Sequence, residues 1–272
     1  MVVFPKSKIN LGLNITGKRP DGYHDIETVF YPVNLCDALE FVAFPEGAAS
    51  DAMTLTGIEL PGKPEDNLVL RAVEILRKKY PIPYLRIHLH KSIPAGAGLG
   101  GGSSDAACML RSLNKTFNLL LSSYELQAYA ASLGSDSPFF INCQPSFASG
   151  KGEILKPVTI FLNGLYIVLL NPGISISTRE AYGNCVPAVP EKSLYETIRK
   201  PVSKWKELVF NDFEKTIFIS HPEIKSIKQA LYGSGALYSS MSGSGSTIYG
   251  IFYEKPSIPG ELRKYVIYEG EL

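Results

Sequence analysis

The sequence predicts an α+β fold divided into two domains, and three observations support this. Strand-like patterns dominate about the first ninety residues, helical periodicity follows a glycine-rich loop, and a second mixed pattern starts near residue 155. A chain of 272 residues also exceeds the usual size of one domain. We therefore expect domains at residues 1–154 and 155–272.

Alternating apolar and polar residues predict the strands of the first part of the chain, because successive strand side chains point to opposite faces. These strands are expected at residues 8–15, 28–33, 39–44 and 85–89. Residues 67–79 have helical periodicity, and Asn67 stands where an N-cap is expected. The first part is thus predicted to be mainly β with one helix.

Helices are predicted after the glycine-rich loop. Ser103 and Ser104 are residue types that cap helices, and the apolar residues behind them recur at helical spacing, which predicts a helix over 103–117. Another helix is expected over 122–133. Pro138 favours the first turn of a further short helix.

Strands and helices are mixed in the last part of the chain. The pattern predicts strands at 166–170, 239–241 and 247–252 and helices at 202–209 and 222–231. Residues 186–201 are rich in proline and charge, which is typical of an exposed connection. This part is therefore expected to form a second α+β unit.

The bulk composition argues against several classes of protein. Lys and Arg number 27 against 26 Asp and Glu, so the net charge of +1 gives no global field that would attract nucleic acid or a membrane surface. The longest apolar run is too short to span a bilayer, and no signal peptide is recognisable. The four cysteines lack a C-x-x-C pair, which is typical of reduced thiols. We expect a cytoplasmic protein whose selectivity comes from local features of the chain and not from its net charge.

The most informative segment is the glycine-rich loop at residues 94–107, Pro-Ala-Gly-Ala-Gly-Leu-Gly-Gly-Gly-Ser-Ser-Asp-Ala-Ala. Glycines leave main-chain N–H groups free to turn toward one anion, and the helix that follows offers the positive end of its dipole. Phosphate is the anion that such a site suits.

Other phosphate loops fit this segment less well. A Walker-type loop needs Lys after its last glycine, whereas Ser103 follows Gly102. A dinucleotide G-x-G-x-x-G pattern begins at Gly96, but Pro94 interrupts the expected turn. A protein-kinase loop would come with an H-R-D segment, which the sequence lacks. The order of strand, turn, serines and amphipathic helix disfavours a flexible linker.

The loop and its surroundings resemble the second signature motif of the GHMP kinases, a superfamily of small-molecule kinases. Further matching segments lie at residues 6–14, 17–28, 66–69, 133–140, 211–214 and 241–246, so the resemblance extends over essentially the whole chain. Segment 17–28, Gly-Lys-Arg-Pro-Asp-Gly-Tyr-His-Asp-Ile-Glu-Thr, is similar to members that act on a cytidylated methylerythritol. Segment 242–246, which alone would indicate a loose hairpin, corresponds to the third motif of the superfamily.

The resemblance implies the two-domain GHMP-kinase fold, with an N-terminal ribosomal-S5-like α/β domain that binds ATP and a C-terminal ferredoxin-like α+β domain. It implies ATP- and Mg²⁺-dependent phosphorylation of the 2-hydroxyl of a cytidine-diphosphate-linked methylerythritol, in non-mevalonate isoprenoid precursor biosynthesis. We expect no nucleic-acid or membrane partner, and a monomer or weak homodimer.

The resemblance also implies which residues bind ATP. Those of the loop are Pro94, Ala95, Gly96, Ala97, Gly98, Leu99, Gly100, Gly101, Gly102, Ser103 and Ser104. Asn67 and Lys91 correspond to positions that line the adenine pocket, although Asn67 would also serve as a plain helix cap.

Lys8 and Asp136 correspond to the catalytic residues of the superfamily. From residue type alone, Lys8 would lie on a solvated strand face, and Asp136 would cap a helix in front of Pro138. The segment around Asp136 reads Ser-Asp-Ser-Pro where Ala-Asp-Val-Pro is common.

The resemblance implies that four residues bind the acceptor substrate. Asn10 is a substrate-contacting position on the same predicted strand as Lys8. Tyr23 is implied to stack on the cytosine, His24 to form a hydrogen bond to it, and Tyr182 to provide the opposite stacking face. Alternatively, Tyr23 and His24 simply follow a turn at Asp21-Gly22.

Three other functions remain open from the sequence. The chain could be another GHMP kinase of the mevalonate or homoserine type, or a non-catalytic nucleotide sensor with the same fold. An RNA-binding module ranks last, because no basic stretch interleaved with aromatic residues is present.

Overall fold

The computed structural model of the protein describes residues 1–44, 48–183 and 185–272. Residue contacts divide the chain into two units of three segments each. The first unit comprises 1–8, 35–95 and 100–144, and the second comprises 9–34, 96–99 and 145–272. The domain boundary expected after residue 154 stays a prediction.

The described chain contains both strands and helices, which follow one another mostly in runs of the same type. The strands are β1 (Val2–Val3), β2 (Lys6–Lys18), β3 (His24–Cys36), β4 (Ala38–Ala43), β5 (Ala52–Gly57), β6 (Leu85–Lys91), β7 (Ser146–Ser149), β8 (Ile154–Pro157), β9 (Tyr166–Leu170), β10 (Tyr238–Met241), β11 (Ile248–Phe252) and β12 (Val266–Glu271). The α-helices are α1 (Leu68–Arg77), α2 (Gly101–Thr116), α3 (Ser123–Ala131), α4 (Ser137–Asn142), α5 (Thr178–Gly183), α6 (Leu194–Thr197), α7 (Trp205–Leu208), α8 (Glu214–Ser220) and α9 (Pro222–Gly233). Short 3₁₀ turns cover Pro64–Asp66, Val202–Lys204 and Gly260–Tyr265.

The first unit contains a four-stranded sheet in the order β1-β4-β6-β5 and the helices α1 to α4. Strand β6 pairs antiparallel with β4 and parallel with β5. Its alternate residues Leu85, Ile87 and Leu89 are fully buried, as the period of two requires. Helix α2 packs against α1, α3 and α4, so the glycine-rich loop leads into the centre of the helical layer.

The second unit holds one whole sheet and most of another, because residues 6–8 of β2 and 35–36 of β3 belong to the first unit. The order β2-β3-β7-β8 describes one sheet, and the antiparallel order β10-β11-β9-β12 describes the other. Helix α9 packs on β10 and β11, and one apolar cluster joins β2, β9 and α9 through Leu13, Leu170 and Ile227. The indole N–H of the buried Trp205 donates to the carbonyl oxygen of Lys200, at 2.9 Å, and its ring meets Tyr238 edge-on.

Two expectations about helix caps have different outcomes. The side-chain oxygen of Asn67 accepts from the N–H of Val69 at 2.9 Å, so Asn67 is the N-cap of α1. The sequence predicts Ser103 and Ser104 as caps of α2, which is wrong. Gly100 is the cap, left-handed at φ 71° and ψ 21° and without a side-chain capping bond, because glycine adopts this conformation at little cost. Both serines lie inside the first turns.

Two other expectations are corrected in the second unit. Residues 202–209, predicted as one helix, form a 3₁₀ turn followed by the short α7, and Val209 is already extended. Residues 186–201, predicted as an exposed connection, include α6, where Leu194 and the following Ile198 are buried at 2% and 1% exposure. The part of this segment around α6 is therefore packed on the core, whereas Val186 and Val189 are exposed as expected.

The four cysteines are free thiols, as expected. Burial raises the pKa of Cys108 to about 11, which suppresses its thiolate at neutral pH. Within the described ranges, no helix combines the length and the apolar composition that crossing a bilayer would need.

Candidate active site

Lys8 and Asp136 form an ion pair in the first unit. The Nζ atom of Lys8 lies 3.3 Å from Oδ2 of Asp136, and the side chains are 3% and 31% exposed. Asp136 stands at the cap position of α4 but its side chain makes no capping bond, so the simple cap hypothesis for this residue is wrong. Its carboxylate is held instead beside a buried ammonium.

The strand face that carries Lys8 is not solvated. Lys8 and Asn10 are 3% and 2% exposed, and Ile9 and Leu11 on the opposite face are fully buried. The strand pattern of β2 is confirmed, but its polar face is buried as well. A buried ammonium needs an anionic partner, because desolvation of an unpaired charge is costly. Asp136 supplies such a partner.

The end of the glycine-rich loop approaches Lys8. A β-carbon at Gly100 would lie 3.2 Å from Cε of Lys8 and 2.8 Å from Cζ of Phe140. Glycine therefore allows the start of α2 to pack close to the ammonium group. The first N–H groups of a helix have no partner within the helix, and they suit an anion. The 16-residue α2 thus directs its positive end toward the region of the ion pair.

Other residues of the loop belong to the second unit, where the third motif contacts them. Residues 96–99 are placed in this unit, and residues 94–95 and 100–104 in the first. The motif connects β10 to β11, so its hairpin form is confirmed. The Ser242 hydroxyl donates to the carbonyl oxygen of Gly98 at 2.8 Å. Gly98 has φ +76°, and a β-carbon there would meet the carbonyl oxygen of Ser242 at 1.9 Å.

A network of hydrogen bonds holds Asn10. Its Nδ2 donates to Oγ1 of Thr28 at 2.9 Å, and that hydroxyl donates to the carbonyl oxygen of Gly12 at 2.6 Å. The main-chain carbonyl of Asn10 accepts from the hydroxyl of Tyr249 at 2.8 Å. Thr28 and Tyr249 escape the sequence reasoning, although Thr28 ends the matching segment 17–28.

Tyr23, His24 and Tyr182 lie in the second unit. Tyr23 is 60% exposed in the turn between β2 and β3, and Nζ of Lys151 lies 4.7 Å from its ring centroid. The rings of His24 and Tyr182 stack, with centroids 4.8 Å apart at 19°. The turn is confirmed, and the structure brings His24 and Tyr182 together as an aromatic pair.

Lys91 is engaged by two carboxylates. Its ammonium donates to Oδ2 of Asp37 and to Oδ2 of Asp105, the latter at 2.6 Å. Burial raises the pKa of Asp105 to about 7, although the nearby ammonium opposes this rise. The sequence gives no signal for this cluster, because an Asp between two strands and an Asp in the first turns of a helix are both common. The adenine-pocket roles of Lys91 and Asn67 stay predictions.

The described residues contain no group of three or more His, Cys, Asp and Glu side chains that could form a metal cage. Magnesium in nucleotide enzymes needs no such cage, because phosphate oxygens and water supply most of its ligands. The hydroxyl of Ser104, at the start of α2, and the carboxylate of Asp136, at the start of α4, are oxygen donors of the kind that suits a nucleotide-bound magnesium ion.

Family models match both parts of the chain. The model described as GHMP kinases N terminal domain matches residues 67–144, and the model described as GHMP kinases C terminal matches residues 193–266. Each of the two matches includes one of the segments on which the site depends, the glycine-rich loop in the first and the third motif in the second.

Whole-chain relatives have a more specific name. The 4-diphosphocytidyl-2-C-methyl-D-erythritol kinase of Bacteroides thetaiotaomicron is 52% identical over 259 residues, which cover 95% of this chain and 94% of that protein. The protein of that name from Cytophaga hutchinsonii is 45% identical over 257 residues, 94% of each chain.

Solved structures agree with this similarity. A crystal structure of 4-(cytidine 5'-diphospho)-2C-methyl-D-erythritol kinase has a TM-score of 0.78 and 32% identity, and covers 92% of this chain and 90% of that one. The mevalonate kinase of Methanococcus jannaschii, with a TM-score of 0.66 and 13% identity over 97% of this chain and 92% of that one, shares the fold. The ion pair, the glycine-rich loop and these relatives together lead to one conclusion: the chain belongs to the 4-diphosphocytidyl-2-C-methyl-D-erythritol kinase family of the GHMP kinases.

Proposed function

We propose that the protein transfers the γ-phosphoryl group of ATP to the 2-hydroxyl of 4-diphosphocytidyl-2-C-methyl-D-erythritol, giving the 2-phosphate and ADP. The reaction is a step of isoprenoid precursor biosynthesis by the non-mevalonate route. The names of the whole-chain relatives support this substrate, and the GHMP kinase domains support an ATP-dependent small-molecule kinase.

In this proposal, Asp136 accepts the proton of the attacking hydroxyl. The hydroxyl oxygen forms a bond to the γ-phosphorus, the bond from that phosphorus to the bridging oxygen breaks, and ADP leaves with the electron pair. Lys8 orients the carboxylate and offsets negative charge on the moving phosphoryl group. The 3.3 Å contact between the two side chains is the observation that carries the proposal.

The glycine-rich loop binds the phosphates of ATP through main-chain N–H groups at the start of α2. Magnesium, when bound with the nucleotide, neutralises the triphosphate, and we place it near Ser104 and Asp136. Asn67 borders the adenine. Asn10 contacts the acceptor, and Tyr23, His24 and Tyr182 frame its cytosine. Cytoplasmic location and a monomeric or weakly dimeric state belong to the same proposal.

The test is kinetic. Asp136→Asn keeps the size of the side chain but removes the base, so kcat should fall by at least about 10²-fold, the range of a lost proton-transfer group. Glu74→Gln, which alters an exposed ion pair with Lys78 on α1, is the matched control and should keep its turnover. Near-normal ADP release by Asp136→Asn would remove this residue from the mechanism.

A panel of acceptors separates the alternatives. The cytidylated methylerythritol, mevalonate, homoserine and galactose are each offered with ATP and magnesium. A preference for any of the last three acceptors would overturn the proposed substrate assignment. Tight ATP binding without ADP formation on any acceptor would instead indicate a nucleotide sensor.

A further inference from the structure

The Lys91 cluster, formed by Asp37, Lys91 and Asp105, lies in the interior of the first unit. Side-chain exposure is 0% for Asp37, 2% for Lys91 and at most 3% for Asp105. The ammonium of Lys91 donates to both carboxylates. Oδ1 of Asp105 has no hydrogen-bond partner among the described residues. The ammonium of Lys91 therefore has protein carboxylates as its hydrogen-bond partners.

Asp37 fastens the chain that leads into the glycine-rich loop. While Oδ2 accepts from Lys91, Oδ1 accepts from the main-chain N–H of Ser92 at 2.6 Å and of Ile93 at 2.9 Å. These residues directly precede Pro94, where the loop begins. Hydrogen bonds to an ionised acceptor are about twice as strong as neutral ones. One carboxylate thus fixes the path of the entering chain.

Asp105 fastens the helix that leaves the loop. It lies one turn into α2, and its Oδ2 accepts from Lys91 at 2.6 Å. The same helix starts in close contact with the entering chain, because a β-carbon at Gly101 would lie 2.9 Å from Cγ2 of Ile93 and 3.4 Å from Nζ of Lys91. Lys91 therefore joins the two ends of the loop through one ammonium group.

Because the cluster is buried, it is sensitive to the loss of any one of its charges. Removal of one charge from a buried cluster leaves the others uncompensated, which is more disruptive than loss of an exposed pair. The remaining groups regain solvation only if the local chain opens. The segments free to open here are the two ends of the loop, since β6 itself is paired on both sides.

We propose that the Lys91 cluster positions the phosphate-binding loop, and that Lys91 acts as a positioning residue and not as a contact to the nucleotide. This rests on the proposed role of the loop in ATP binding. The cluster holds the loop in its binding geometry before the nucleotide arrives, so its loss should weaken ATP binding more than it slows the chemical step.

The experiment uses three variants and one control in the full chain. Asp37→Asn keeps an oxygen for the N–H groups of Ser92 and Ile93 but removes the charge opposite Lys91. Lys91→Met removes the ammonium, and the double variant combines both. The control is Asp51→Asn, because Asp51 also pairs with a basic side chain, Arg77, and accepts from the main chain of β6, at its other end (Leu85).

Amide hydrogen exchange without nucleotide gives the first readout, because it reports local opening. Peptides covering residues 92–104 should exchange at least about fivefold faster in Asp37→Asn and Lys91→Met. Peptides covering 238–252 should not change, and Asp51→Asn should leave 92–104 as in the parent. This readout needs neither ATP hydrolysis nor the acceptor, so it separates failure of the cluster's role from failure of the proposed reaction.

Kinetics give the second readout. The KM for ATP should rise about tenfold in each single variant, which corresponds to about 1.4 kcal/mol of lost binding free energy. The kcat should change less than about threefold. The KM for ATP of the double variant should be no higher than that of the more impaired single variant, because both changes disrupt the same cluster. A raised KM in Lys91→Met with parental KM and exchange in Asp37→Asn would show direct contact with the nucleotide and overturn the proposal. If Lys91→Met does not fold, the comparison of Asp37→Asn with Asp51→Asn decides it.

Discussion

Gly98→Ala tests the contact between the glycine-rich loop and the third motif. A β-carbon at Gly98 would lie 1.9 Å from the carbonyl oxygen of Ser242, whereas real β-carbons essentially never approach closer than 3.0 Å. Either the loop or the motif must therefore move by about 1 Å or more. The residue also has φ +76°, a region that L-residues rarely adopt.

The structure sets the expected magnitude. A left-handed conformation costs alanine about 1–2 kcal/mol, and overpacking adds about 1–3 kcal/mol, so the free energy of unfolding should fall by about 2–5 kcal/mol. Gly96→Ala is the matched control, because Gly96 has φ +63° in the same loop but no atom within 4 Å of its β-carbon position. It should lose only the conformational part, about 1–2 kcal/mol.

Urea unfolding followed by circular dichroism, without nucleotide, measures the difference between the two variants. Steady-state ADP release then gives kcat/KM for ATP. We expect Gly98→Ala to be about 10²-fold below Gly96→Ala, the effect of a misplacement near 1 Å. Equal stability and equal kcat/KM for the two variants would show that the Ser242 carbonyl does not restrict residue 98, because of the two positions compared only Gly98 has an atom within 4 Å of its β-carbon position.

Two further expectations concern side chains that the sequence reasoning missed. Thr28→Val removes the hydroxyl that orients the amide of Asn10, so the KM for the acceptor alcohol should rise about fivefold to tenfold, whereas Thr28→Ser should stay near the parent. Initial rates against acceptor concentration check this, and equal KM values for both variants would contradict it. For Asp105, burial raises the pKa to about 7, above the usual value near 3.9, so the folded state retains a proton that the unfolded state releases. Its contribution to the free energy of unfolding should fall as pH rises from about 4 to about 7, and the stability of Asp105→Asn relative to the parent should rise over that window in urea titrations and then level off.

Local features of the fold could be predicted from the sequence because they depend on neighbouring residues. The alternation in β6 and the periodicity of α1 locate these elements to within a few residues. Ser122 forms a reciprocal capping box with Glu125 at the start of α3, as a helix start at this point requires. The strands β7 and β8 have only four residues each, too few for a period of two to stand out.

The environment of the site residues could not be predicted in this way. Periodicity identifies the strand that carries Lys8 but cannot reveal that both of its faces are buried, since burial depends on segments distant in sequence. Only the family resemblance singled out Lys8 and Asp136, and the structure brings them together. The pairing of Lys91 with Asp37 and Asp105 has no local signature, because its three members come from three separate elements or turns.

Trp205 gives the protein a built-in optical probe. It is the single tryptophan of the chain, and it lies wholly within the second unit. Unfolding exposes the buried indole to water, which should shift its fluorescence emission to longer wavelength. The emission therefore follows the unfolding of the second unit, whereas the far-ultraviolet circular dichroism signal comes from the secondary structure of both units. Superposition of the two denaturation curves would mean that both units unfold in one cooperative transition. Separate midpoints would reveal an intermediate in which only one unit is unfolded.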